Sequence, residues 1–203
     1  AVLDPDAVIR IDAAARIDRV LVGGVDCLSK FTLNGFNTLM ILSASRNRPF
    51  SEDRDGLNLG EAAAYLVLES DASVKARNAT PIAYVAGFSN ANDAHHQTAS
   101  SENGDGATAA MLGALRTAGL SPSDIDHINA HGTATPNNDL SEGRAFKRVF
   151  GERVPPFTST KPYTGHTLAA AGAVEAVFSI LAMQQQVVFP TLNFTGGMSE
   201  FDL

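Results

Sequence analysis

Two imidazoles are the side chains best placed to do chemistry: His131, which opens His131-Gly-Thr-Ala-Thr-Pro-Asn-Asn-Asp139, and His166, which closes Lys161-Pro-Tyr-Thr-Gly-His166. Each follows a short apolar or small run, Ile125 to Ala130 and Pro156 to Thr160, and precedes a helical stretch. Both therefore sit at strand-to-helix turns, the usual ligand crevice of an α/β sheet. A neutral imidazole donates one N–H, and two aimed at one point stabilise a developing oxyanion such as an enolate. His166 stands at the start of an apolar helix, where the terminal amides and the helix dipole favour an uncharged ring. Lys161 can hold the array by pairing with an acid, and Asp139 or Glu142 is the expected partner. A single histidine is more often a core or surface residue satisfied by a carbonyl. Two in matching turns reverse that reading.

Positioning these side chains takes alternating strands and helices. The spacing predicts a helix over 7–16, a buried parallel strand over 19–25, a helix over 33–42, and strands over 62–69 and 81–90. It predicts further helices over 105–118, capped by Gly119, over 138–150, closed by Gly151, and from about 167 to 186. The order makes the class α/β. No linker or repeat divides the chain, which reads as a single unit over 1–203.

The composition narrows the partners. With 203 residues, 44% hydrophobic and 18% charged, the chain can bury a sizeable core. A net charge of −7 argues against binding nucleic acid by bulk attraction. No apolar run approaches the roughly 20 residues of a membrane span, and Asp4 and Asp6 do not suit a signal peptide. The expected location is the cytoplasm, to which the lone Cys27 adds little. The spacing of His95, His96, Asp93, His131 and His166 fits no metal motif, so no metal is expected. Gly23-Gly24 belongs to no phosphate loop.

The paired motifs, in this order, resemble the C-terminal half of the β-ketoacyl-acyl-carrier-protein synthases, condensing enzymes of the thiolase-like superfamily. The resemblance extends through Arg48-Pro-Phe50, Asp53-Arg-Asp-Gly56, Gly60-Glu61, Leu66-Val-Leu-Glu69 and Asp93-Ala-His-His-Gln-Thr98. It implies a thiolase-like layered α/β/α fold, a mixed sheet flanked by helices on both faces. It also implies a decarboxylating Claisen condensation of an acyl thioester with malonyl-carrier protein, in which His131, His166 and Lys161 are catalytic and Asp139 and Glu142 support them. Thr133, Thr135, His96 and Thr98 are then expected to contact the substrate, although a solvated loop is an equal reading for 93–98. Pro162 replaces a small hydroxyl residue of the family, and Ala62 and Ala64 replace glycines.

The resemblance further implies no cofactor, because the phosphopantetheine arm arrives on the acyl-carrier protein, and a homodimer at full length. Matching 16–24 to the family puts its cysteine nucleophile just before Ala1, and its final gate loop beyond Leu203. No nucleophile is therefore assigned in this chain. Cys27 is expected to be a buried or partly buried bystander, and the 203 residues alone to be inactive. The alternative is a non-catalytic partner subunit of the chain-length-factor kind. Arg46 with Arg48, or Lys147 with Arg148, are candidate contacts for an acidic carrier.

Overall fold

The computed structural model describes residues 8–11 and 17–200, with side chains from residue 17 onward. Among the described residues, four strands form a mixed sheet in the order β2-β3-β1-β4: β1 (Val8–Ile11), β2 (Arg19–Asp26), β3 (Ala62–Ser70) and β4 (Pro81–Val85). β1 runs parallel to β3 and β4, with Ile9 opposite Leu68 and Ala83. A strand thus occupies 8–11, where helical spacing was expected. Val8, Ile9 and Ile11 are β-branched, and sheet partners on both sides satisfy their backbone. The rest of the expected helix lies outside the described residues.

β2 is not the buried parallel strand that its apolar run suggests. It pairs antiparallel with β3, from Arg19 opposite Glu69 to Asp26 opposite Ala62, and its residues alternate between exposed and half-buried. An antiparallel edge strand with one open face gives that alternation. Leu21, Val25 and Tyr65 stand on the open face at 67%, 57% and 52% exposure. β4 ends at Val85, short of the expected Asn90. Just beyond it Gly87 passes so close to the helix Asp105–Ala118 that a Cβ would lie 2.5 Å from the Ala114 carbonyl oxygen.

The helices are α1 (Lys30–Thr38), α2 (Asp71–Ala76), α3 (Asp105–Ala118), α4 (Pro136–Phe150), α5 (Lys161–Thr164) and α6 (Ala171–Gln185). α3 has the expected bounds and ends at Gly119 in the left-handed region. α4 starts two residues early because Thr135 caps it and Pro136 takes its first position, where a missing N–H costs nothing. Against the expectation that no apolar run approaches a membrane span, Leu168–Gln185, a short 3₁₀ turn plus α6, is 18 residues long and apolar enough by composition to cross a membrane. Here it packs along β2, β3 and β4 and carries Glu175 into the site described below.

Two short parallel strands, β5 (Ile128–Asn129) and β6 (Phe157–Thr158), lead to the two imidazoles: β5 runs directly into the His131 turn, whereas α5 stands between β6 and His166, which therefore follows a short helix rather than the expected strand end. Beneath them Phe50, Ala130, Phe146 and Met198 form a buried core with Ile128 and Phe157 packed against it. Phe157 meets Phe50 edge to face at 4.9 Å and Phe146 at 5.2 Å.

Candidate active site

His131 and His166 lie side by side, ring centroids 5.1 Å apart and planes at 83°. Their environments assign the ring protons. Lys161 is 1% exposed, and its ammonium has three partners: Glu175 Oε1, the His131 carbonyl at 2.5 Å and His131 Nδ1 at 3.1 Å. An ammonium only donates, so His131 Nδ1 accepts and Nε2 carries the hydrogen. His166 Nδ1 accepts from the Leu168 backbone N–H at 3.1 Å, which leaves its Nε2–H as a donor too. Both rings therefore present one N–H each.

Burial first, and the neighbouring charge second, keeps them neutral. His131 opens to the crevice along one edge, yet burial among its neighbours, then the Lys161 ammonium, then His166, hold it down to about 3. His166 is lowered to about 4, by burial first and Lys161 second.

The expected acids do not pair with Lys161; Glu175 does. Glu142 instead accepts the His131 N–H at 2.7 Å and the Gly132 N–H at 2.8 Å. Asp139, fully buried, accepts the N–H groups of Phe50 at 2.8 Å, Thr133 at 3.1 Å and Ala134 at 3.2 Å. Both lie too deep in the turn to reach past the backbone they bind. Burial pushes Glu142 up to about 7 and Asp139 upward, and their backbone donors oppose the shift. The sequence did carry a sign of Glu175: it is the one charged residue in α6.

Close backbone approaches fix the two turns. Gly132 has φ +41°, and a Cβ there would lie 2.6 Å from Ser159 Cβ, while the Ser159 hydroxyl donates to the Gly132 carbonyl at 2.7 Å. On the other turn the His166 N–H donates to the Asn58 carbonyl at 2.7 Å, and the Gly60 N–H donates to the His166 carbonyl at 3.1 Å. A Cβ on Gly60 would lie 1.9 Å from the Thr164 carbonyl oxygen. Pro162 breaks no bond, since it sits at the first turn of α5, and Tyr163 N–H still reaches the Thr160 carbonyl at 3.1 Å.

Thr133 and Thr135 lie between His131 and α4, their hydroxyls 2.9 Å apart. His96 and Thr98 are not brought to the imidazoles by any contact among the described residues. They occupy an exposed loop where the Thr98 N–H donates to His96 Nδ1 at 3.2 Å, and Asn137 ties that loop to α4 through the Ser100 N–H at 3.2 Å. Cys27 is exposed on the β2–α1 connection rather than buried, because the chain there turns on Asp26, which accepts the Cys27 N–H at 2.9 Å. Arg48 is paired with Asp53 and Asp55, and Arg148 with Asp105, so half of the proposed basic contacts are already engaged.

A layered α/β scaffold with two uncharged imidazoles converging in one crevice is the frame of a thiolase-like condensing enzyme. The chain belongs to the β-ketoacyl synthase family: the family's C-terminal domain matches residues 82–195 and its N-terminal domain residues 11–73. It is 39% identical to 3-oxoacyl-[acyl-carrier-protein] synthase 2 of Staphylococcus aureus, over 92% of this chain and 47% of that protein. Among solved structures it resembles a β-ketoacyl synthase from Burkholderia phymatum (39% identity, TM-score 0.86, 93% of this chain and 47% of that one). It also resembles a type II polyketide ketosynthase solved with its acyl-carrier protein (36% identity, TM-score 0.89, 94% and 49%). The chain spans about half the length of the curated relatives it matches.

Proposed function

We propose that the full-length protein is a 3-oxoacyl-[acyl-carrier-protein] synthase and that residues 1–203 supply its oxyanion donors. An acyl group passes from its carrier thioester to a cysteine thiolate outside these residues, releasing the carrier thiol. Malonyl-carrier protein then loses carbon dioxide, and the electron pair of the broken C–C bond becomes an enolate. Its oxygen accepts the Nε2–H bonds of His131 and His166. The enolate carbon attacks the acyl thioester, and the cysteine thiolate departs. Burial and the Lys161 charge together keep both rings uncharged, and Lys161 fixes that of His131, while Asp139 and Glu142 hold the turn. Thr133, Thr135, His96 and Thr98 are assigned to the pantetheine path. The reaction asks for no metal or organic cofactor, and the protein acts as a cytoplasmic homodimer.

The observation that carries this reading is the pair of edge-to-face imidazoles whose Nδ1 atoms are both occupied as acceptors. A subunit that only bound acyl chains would have no need of two such donors. The test is intact mass of the full-length protein incubated with acyl-carrier substrate. An acyl adduct on a cysteine upstream of Ala1 is expected, with ketoacyl product once malonyl-carrier protein is added and none from residues 1–203 alone. A folded, carrier-binding protein that forms no adduct would instead be a chain-length-factor-like partner.

A further inference from the structure

The carbonyl that anchors His166 belongs to Asn58, and Asn58 is itself held by its side chain. Residues 57–60 form an extended ribbon paired on both edges. On one edge Leu57 N–H donates to the Ile41 carbonyl at 2.9 Å and Ser43 N–H to the Leu57 carbonyl at 2.9 Å. The other edge is the pairing with His166 described above, through the Asn58 carbonyl and the Gly60 N–H.

The Asn58 carboxamide closes the loop that crosses over this ribbon. Its Oδ1 accepts the Asn47 N–H at 2.8 Å, and its Nδ2 donates to the carbonyls of Ser45 at 2.9 Å and Ser43 at 3.4 Å. A planar amide with an acceptor and two donors does here what a further length of paired backbone would do. An apolar side chain of similar size would fill the space but leave the N–H of Asn47, a residue 3% exposed, without its acceptor. The loop and the ribbon would then shift to recover a partner, and His166 is bonded to that ribbon.

We infer that Asn58 is a positioning residue for His166: its carboxamide locks the 43–47 loop onto the 57–60 ribbon, and the ribbon sets where the His166 ring stands in the crevice. The inference rests on the proposed role of His166 as an oxyanion donor. It predicts a split between the half-reactions. Decarboxylation of malonyl-carrier protein depends on His166, whereas loading of the cysteine does not depend on the ribbon.

The experiment uses the full-length protein with Asn58→Leu, Asn58→Ala and Asn58→Asp. Three quantities are read: malonyl-carrier decarboxylation, cysteine acylation by intact mass, and the ¹⁵N resonances of the His166 ring. A displacement of well under 1 Å is expected to slow decarboxylation about tenfold in the Leu and Ala variants, with acylation changed by less than about twofold. Asn58→Asp keeps the acceptor for Asn47 and should recover part of the loss, and the His166 Nδ1 resonance should move in the Leu and Ala variants. Wild-type decarboxylation with an unmoved His166 resonance would overturn the inference. So would equal loss in both half-reactions with that resonance unmoved, which would mark an ordinary structural residue. Should the parent protein itself neither decarboxylate malonyl-carrier nor load a cysteine, the proposed function falls. The ring resonance then decides alone: a shift on Asn58→Leu supports the positioning role, and no shift refutes it.

Discussion

Lys161→Met in the full-length protein isolates what the buried ammonium does. The substitution keeps the length of the side chain and removes its charge, leaving Glu175 without the partner it has now. Breaking a buried ion pair from one side costs about 3–5 kcal/mol, most of it the uncompensated charge that remains. Glu175 has an escape, because a buried carboxyl can take up a proton. Burial already raises it, against the opposing pull of Lys161. Without Lys161 it rises further. A carboxyl whose folded value exceeds its unfolded value contributes stability below the unfolded value and loses it as pH climbs through the folded one. The penalty should therefore be small near pH 5 and approach the full figure near pH 8. Urea unfolding of the variant and the parent at both pH values measures this through the shift in midpoint. Glu175→Gln is the complement: the ammonium keeps a neutral acceptor, so the loss should be about 1.5–3 kcal/mol and nearly independent of pH across that range. An equal penalty at pH 5 and pH 8 for Lys161→Met would refute the reasoning, since it would mean that Glu175 is not the group left unpaired.

Three further outcomes follow from the same geometry. His131→Ala and His166→Ala should each slow malonyl-carrier decarboxylation by roughly 10²–10³, and in the parent the acidic fall-off due to these rings should lie below pH 5, because they are held near 3 and 4; a limb near 6.5 in the pH–rate profile would contradict the neutral pair. Gly60→Ala should cost about 1–3 kcal/mol by overpacking and slow decarboxylation as well, whereas Gly172→Ala, with nothing within 4 Å of its new Cβ, should be neutral or slightly stabilising in thermal melts. Glu69 is fully buried beneath Arg19, Arg77 and Ser73 and is held down to about 2, chiefly by Arg77. Its stabilisation should thus be complete above about pH 4.5 and be lost as pH falls toward 2, so Glu69→Gln should flatten the acid unfolding curve.

Which parts of this were legible in the sequence depended on whether the signal was local. α3 and its Gly119 cap were readable because helix period and cap chemistry sit within one segment. The two imidazole turns were readable for the same reason. β2 was misread because Val20-Leu-Val22 suits a buried parallel strand and an antiparallel edge equally well; the arbiter is its partner β3, some forty residues away. The partner of Lys161 was misread because proximity in sequence favoured Asp139 and Glu142. Both are consumed by backbone N–H groups, those of the turn before α4 and that of Phe50, an obligation visible only once Gly132 and Phe50 are placed.

That division of labour among the acids follows from what each must face. A turn that brings four N–H groups inward, those of His131, Gly132, Thr133 and Ala134, beside a fifth from the packed segment at Phe50, needs acceptors or pays for orphaned donors. Two carboxyls on one face of α4, at Asp139 and Glu142, meet that need from the same helix. Neither then has geometry to spare for an ammonium beyond the turn. The lysine must take its countercharge from a different element, and α6 passes close enough to supply it through Glu175. One cation is thereby set against the Nδ1 of His131, and its charge adds to burial in disfavouring protonation of both rings. An anionic partner at the same point would raise both rings and would itself repel an enolate. The arrangement therefore suits donation of neutral N–H bonds to a developing oxyanion and opposes general-base use of either imidazole.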